Sequence, residues 1–197
     1  MFIQYLWEQP VYYIAWVAII AFSICLHEVT HTWAAMSQGD STAYREGYFT
    51  MNPLKVMGPH SLVMLLLIGL AWGAVPVNHN AMRRRFSPAL VACAGPAANL
   101  ALAVIFAVMA AVTIPYADAE LPEMFLLVFS VGLTANCFLF LLNMLPVPMF
   151  DGWELYAWIF PALGKIDPQK KVTLSWILIL ILFVSPGLAY LRLGAAG

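Results

Sequence analysis

The chain has 197 residues, 63% of them hydrophobic and 10% charged, with a mean hydropathy of +0.84. An ordinary soluble domain carries roughly 25% charged residues, so too few polar groups exist here to cover a water-soluble globule, and an integral membrane protein is the class that remains. Nine basic against ten acidic side chains leave a net charge of −1, with no basic field for nucleic acid; three cysteines in apolar runs, without CxxC spacing, exclude a disulfide framework.

The opening MFIQYLWEQP has Glu8 and no Lys or Arg before its apolar stretch. It does not read as a signal peptide, and the first span is expected to be retained. That span covers about 11–36 and stops at Gly39-Asp40-Ser41. Residues 44–51 (YREGYFTM) place aromatic and β-branched residues around Gly47, which predicts a small β-hairpin region within 44–60. The apolar run 61–75 has only fifteen residues, short of the ~20 that a crossing needs. It can be re-entrant, lie tilted against the bundle, or form a second crossing. Two full spans follow at 89–114, between Pro88 and Pro115, and at 123–145, between Pro122 and Pro146. A short helix is expected from Asp151, and a last span over 172–193 with a bend at Pro186-Gly187. The predicted fold is a single all-α polytopic membrane domain over 1–197. It has full-length spans at about 11–36, 89–114 and 123–145, further membrane segments, and a β-hairpin region between the first two of these spans.

Charge asymmetry orients these spans. Arg83, Arg84 and Arg85 mark the 76–88 loop as cytoplasmic, and Lys165, Lys170 and Lys171 do the same for 164–171. The 115–123 connection holds Asp118, Glu120 and Glu123 and no basic residue, so it reads as external. The first span then ends inside, near Arg45 and Lys55. Trp7, Tyr12 and Tyr13, and later Trp153, Tyr156 and Trp158, read as interfacial aromatics.

The chemistry-bearing motif is His27-Glu28-Val29-Thr30-His31. On a helix, positions i and i+4 share a face, so two imidazoles can grip one Zn²⁺ while the intervening Glu serves as general base for a metal-bound water. Three ionisable groups within five residues of a membrane span are costly unless paired, metal-bound or facing water. Zinc wants a third protein ligand, and the candidates are His60, His79, Asp118, Asp151 and Asp167. Asp151 stands out because Pro146 and Pro148 break the backbone before it, and irregular backbone at membrane depth is tolerated where it lines a cavity. From the bare residues it can equally N-cap the helix that follows.

HEVTH inside a span, followed by NMLPVPMFDGWEL, resembles the site-2 protease family of intramembrane zinc metalloproteases. Gly95-Pro96-Ala-Ala-Asn99 is similar to the family's GPxxN helix. The stretch from Gly47 to Pro53, with Trp72 to Asn78, is similar to the TLNP … AKPVPVNP stretch of its short, PDZ-less members. The resemblance covers about 20–160 in order, and it implies a three-helix catalytic core at about 11–36, 89–114 and 123–145. It implies that His27, His31 and Asp151 bind one Zn²⁺ per chain and that Glu28 activates the water. It further implies that Asn143 holds substrate or the developing oxyanion, and that Asn99 supports or lines the site as a lesser candidate for substrate contact. It implies cleavage of membrane-anchored proteins within the bilayer (regulated intramembrane proteolysis), in a prokaryotic cell membrane, with the site nearer the cytoplasm. The 44–60 hairpin would offer an edge strand to an unwound substrate. Val56 and Gly58 stand where the family has His and Asp, Met149-Phe150 replace Pro-Leu, and His79 replaces Pro. No room is left for a PDZ-like or CBS-like domain. An idle membrane scaffold or chaperone and a zinc transporter are the alternative readings, and oligomeric state is not legible.

Overall fold

The computed structural model describes residues 1–116 and 120–194, so Asp118 lies outside the described residues. Helix α1, Pro10–Ser37, opens with Pro at its first position, where the missing N–H costs nothing. Its 28 residues span about 42 Å. Helix α2, Gly58–Ile68, is followed by α3, Ser87–Thr113, and α4, Glu120–Asn143. A short α5, Gly152–Ile159, and a long α6, Pro168–Gly194, complete the main elements, with α6 continuous through Pro186-Gly187. Three helical stretches, Pro10–Ser37, Ser87–Tyr116 and Glu123–Asn143, are long and apolar enough to cross a bilayer. Helices therefore occupy the three stretches expected as full-length spans.

Helices α3 and α4 pack along their length, and α1 lies against both. The approach is close at Gly132, where a Cβ would meet the Phe106 ring. Ile19, Ile20, Ile24, Leu65, Val131 and Leu139 form the apolar centre. Between helices that cross a bilayer, such contacts act through close van der Waals packing rather than through removal of apolar surface from water.

The region before α3 departs from expectation. No strand occurs among the described residues, and 44–60 holds two helical turns, Thr42–Arg45 and Pro53–Val56. The β-hairpin prediction fails because Asn52 caps a turn instead: its Oδ1 accepts from Leu54 N at 3.0 Å, and Pro53 sits at the first helical position. Tyr44 and Phe49 stand exposed, with ring centroids 6.1 Å apart. The 61–75 run also divides. Helix α2 stops at Gly69, whose φ of +76° a residue with a Cβ rarely adopts. From there residues 70–78 run extended back along it. Ser61 Oγ donates to Trp72 O at 2.7 Å and accepts from Trp72 N at 2.8 Å. Ala74 N donates to Val56 O at 3.2 Å, and Asn78 N to Asp40 Oδ2 at 2.6 Å. The far end of this helix-and-return is held near the start of α1, where Tyr13 Oη donates to Leu66 O and Trp16 Nε1 to Gly69 O, both at 2.9 Å. Tyr13 is thus buried rather than interfacial, and so is Trp153.

Candidate metal centre

His27, Glu28 and His31 are all buried on α1. Their face meets the first half of α3. Thr30 Oγ1 donates to His27 O at 2.7 Å and to Ala94 O at 3.3 Å. Gly95 lies directly under the rings, where a Cβ would collide with Nε2 of both imidazoles. Asp151 reaches the same point from the turn after α4. That turn closes on itself because Gly152 has no side chain; a Cβ there would sit 2.8 Å from the Met144 carbonyl.

Three ligand atoms converge. His27 Nε2 lies 3.0 Å from Asp151 Oδ2, His31 Nε2 lies 3.2 Å from the same oxygen, and the two nitrogens are 2.9 Å apart. Where their protons sit decides what this triangle means. His27 Nδ1 lies 2.6 Å from Asn99 Oδ1. Asn99 must present its oxygen there, because its Nδ2 donates to Asn136 Oδ1 at 3.1 Å, and Asn136 Nδ2 in turn donates to Gly132 O at 2.9 Å. His31 Nδ1 faces Val91 O, which can only accept, at 2.8 Å. Both neutral rings therefore carry their proton on Nδ1 and turn a bare lone pair toward Asp151 Oδ2, which is buried with no hydrogen-bond partner. Three electron-rich atoms without a proton between them repel one another unless a cation sits among them. A tetrahedral zinc with bonds of about 2.0–2.1 Å spaces its ligand atoms by about 3.3 Å, close to this triangle, and two His with one carboxylate is a zinc donor set. The residues fit the ion.

Both readings of Asp151 have a geometric counterpart. It occupies the N-cap position of α5 but makes no side-chain cap bond; its carboxylate faces the imidazoles. The other candidates lie elsewhere. His60 is exposed, and Asp167 accepts from Gln169 N at 2.9 Å at the start of α6. His79 stands on the rim of a neighbouring chamber and is not among the clustered ligand atoms.

Glu28 lies beside the cluster. Its carboxylate makes no hydrogen bond among the described residues, and it faces Gly73 of the extended segment, where a Cβ would be 2.8 Å from Oε1. The glycine keeps that space open. Asn143 lines a chamber with Asp151 and Phe150, and its Nδ2 donates to Leu139 O at 3.1 Å. Asn99 is fully buried with its oxygen on His27 and its amide on Asn136, which places it behind the imidazole as an orienting group. Sequence reasoning missed Asn136; the available signal was an amide in an apolar span, where an unsatisfied polar group is costly. Gly73 was passed over as well, because nothing local marks a glycine that makes room for a carboxylate.

Relatives agree with this chemistry. "Putative zinc metalloprotease YwhC" of Bacillus subtilis is 31% identical over 178 residues, covering 86% of this chain and 80% of that protein. "Putative zinc metalloprotease Rip2" of Mycolicibacterium smegmatis is 31% identical over 201 residues, covering 91% and 72%. The protein of the same name from Mycobacterium tuberculosis is 33% identical over 196 residues, again covering 91% and 72%. No protein-family model matches the chain, and no solved structure matches it.

Proposed function

Because the chain belongs to the site-2 protease family of zinc metalloproteases, we propose that it hydrolyses peptide bonds within or near the transmembrane segment of membrane-anchored proteins. The observation that carries the reading is the meeting of His27 Nε2, His31 Nε2 and Asp151 Oδ2 beside an unengaged Glu28 carboxylate. His27, His31 and Asp151 hold one zinc. The ion, when bound, supplies Lewis acidity that polarises a carbonyl and acidifies a water toward a pKa of ~7.

The chain's own residues do the rest. Glu28, free of internal partners, accepts the proton of the attacking water and returns it to the leaving amine, so that water and amide become carboxylic acid and amine. Asn99 and Val91 fix both imidazoles in the tautomer that leaves Nε2 bare. Asn143 faces the substrate from the end of α4. An α-helical substrate hides its carbonyls and must unwind. The 70–78 segment supplies alternative partners, because Gly73, Val75 and Val77 carry backbone N–H groups with no acceptor among the described residues. The basic clusters at 83–85 and 165–171 support a metal site on the cytoplasmic side of the bundle, and the shortness of α2 supports a re-entrant element there.

The test is Glu28→Gln with a membrane-anchored reporter. Cleavage should fall by at least a thousandfold while zinc per chain stays at the wild-type value. Unchanged cleavage would overturn the assignment of Glu28, and an inert wild type with full zinc would favour an idle scaffold.

A further inference from the structure

Two chambers meet at the metal cluster, and they differ in character. One, of ≈ 240 Å³, holds Glu28, His31 and Asp151 and carries His79 and Glu154 on its wall. The other, of ≈ 310 Å³, holds His27, Glu28 and Asp151 with the amides of Asn99 and Asn143, and adds Ala71, Leu139, Leu142 and Phe150 to its lining. It exposes more apolar surface than the first, so a polypeptide drawn past the ligands would meet a mixed chamber on one flank and a more apolar one on the other. The apolar chamber also shares that wall with a third space, of ≈ 180 Å³, reached beside Leu70 and Phe138. Leu70 is 41% exposed and Phe138 43% exposed on the outside of the bundle. Ala71, Leu139, Leu142 and Phe150 thus stand between the metal-side chamber and the outer apolar face of the bundle.

We infer that the Ala71–Leu139–Leu142–Phe150 chamber is the specificity subsite of the enzyme and takes one large apolar side chain, of Leu or Phe size, from the substrate residue beside the cleaved bond. This rests on the metalloprotease reading above. Ala71 sets the capacity from the extended segment, and Phe150 closes the opposite side. A Cβ-only substrate residue leaves the chamber underfilled, and a mismatch of one or a few methylenes in an apolar pocket is worth roughly 10–200-fold in discrimination.

The experiment uses the full-length protein in lipid vesicles. The membrane-anchored reporters carry Ala, Leu, Phe or Trp at each of the two positions flanking the cut, which is located by mass spectrometry of the products. Wild type should cleave the Leu and Phe reporters at least tenfold faster than the Ala reporter, at one flanking position only. Ala71→Leu should lower that Leu-to-Ala ratio at least tenfold, and Phe150→Ala should move the optimum toward Trp, with zinc per chain at the wild-type value in both. Equal rates for all reporters, or ratios unmoved by both substitutions, would overturn the inference, and so would loss of zinc in both variants, since the wall would then be metal scaffold. A wild type that cleaves no reporter, or a Glu28→Gln that cleaves normally, would instead sink the protease reading and this inference with it.

Discussion

Replacing Asn99 by Leu tests whether the orientation of His27 depends on the polar line behind it. The substitution removes the acceptor 2.6 Å from His27 Nδ1 and the donor 3.1 Å from Asn136 Oδ1, both in a fully buried position. Each orphaned group costs about 1–3 kcal/mol, so the direct penalty is ~2–6 kcal/mol, partly offset by the apolar contacts of the new side chain. The effect on the metal is separable. Without an acceptor at Nδ1, the ring no longer prefers the tautomer with a bare Nε2, and loss of such a partner typically weakens metal binding 10–100-fold, or about 1.4–2.7 kcal/mol. Zinc affinity would be read by competition with a chromophoric chelator in detergent, beside a melting curve. Asn136→Leu, one step further from the ring, should cost less zinc affinity, and Asn99→Asp, which keeps an acceptor, should recover part of the loss. A zinc Kd for Asn99→Leu within threefold of wild type would refute the argument.

Other predictions are independent. Gly95→Ala places a methyl against Nε2 of both imidazoles and should cut zinc content at least tenfold while leaving helicity by circular dichroism unchanged. Gly69→Ala combines a φ of +76° with a Phe2 ring atom 2.9 Å from the new Cβ, and should lower stability by about 1–3 kcal/mol in a melting experiment. Asp40 governs a pH dependence. Burial pushes its carboxyl up, but hydrogen bonds from Thr42 and the Asn78 N–H, with the His79 imidazole nearby, outweigh this and hold it below the ordinary value. Its ionised form therefore stabilises the fold above the unfolded pKa of ~3.9, and that contribution fades as pH falls through the lower folded value. Asp40→Asn should melt below wild type at pH 7, with the gap narrowing at pH 3; a gap constant across that range would refute the reading.

Much of the molecule was legible in residue order. The i, i+4 histidines and the prolines flanking each apolar run are local signals, so the long helices and the His27–Glu28–His31 face followed directly. Asp151 was half legible: its place before Gly152 suits a cap as well as a ligand, and only in space does it lack a cap bond and lie beside both imidazoles. The segment between α1 and α3 was misread because strand propensity sits in Tyr44–Met51, whereas the extended chain that passes the metal is 70–78. Its course is held by Ser61, Val56 and Asp40, which are remote from it in sequence and bond Trp72, Ala74 and Asn78. Asn136 and Gly73 escaped for the same reason: their significance lies in what another segment of the chain brings to them.

The line from His27 through Asn99 and Asn136 to Gly132 crosses three helices. During biosynthesis the ribosome releases α1 long before α4 and the Asp151 turn exist. A newly inserted first segment thus owns a pair of histidines but neither the amide brace behind them nor the carboxylate beside them, so the proposed metal site is assembled only once the bundle has closed.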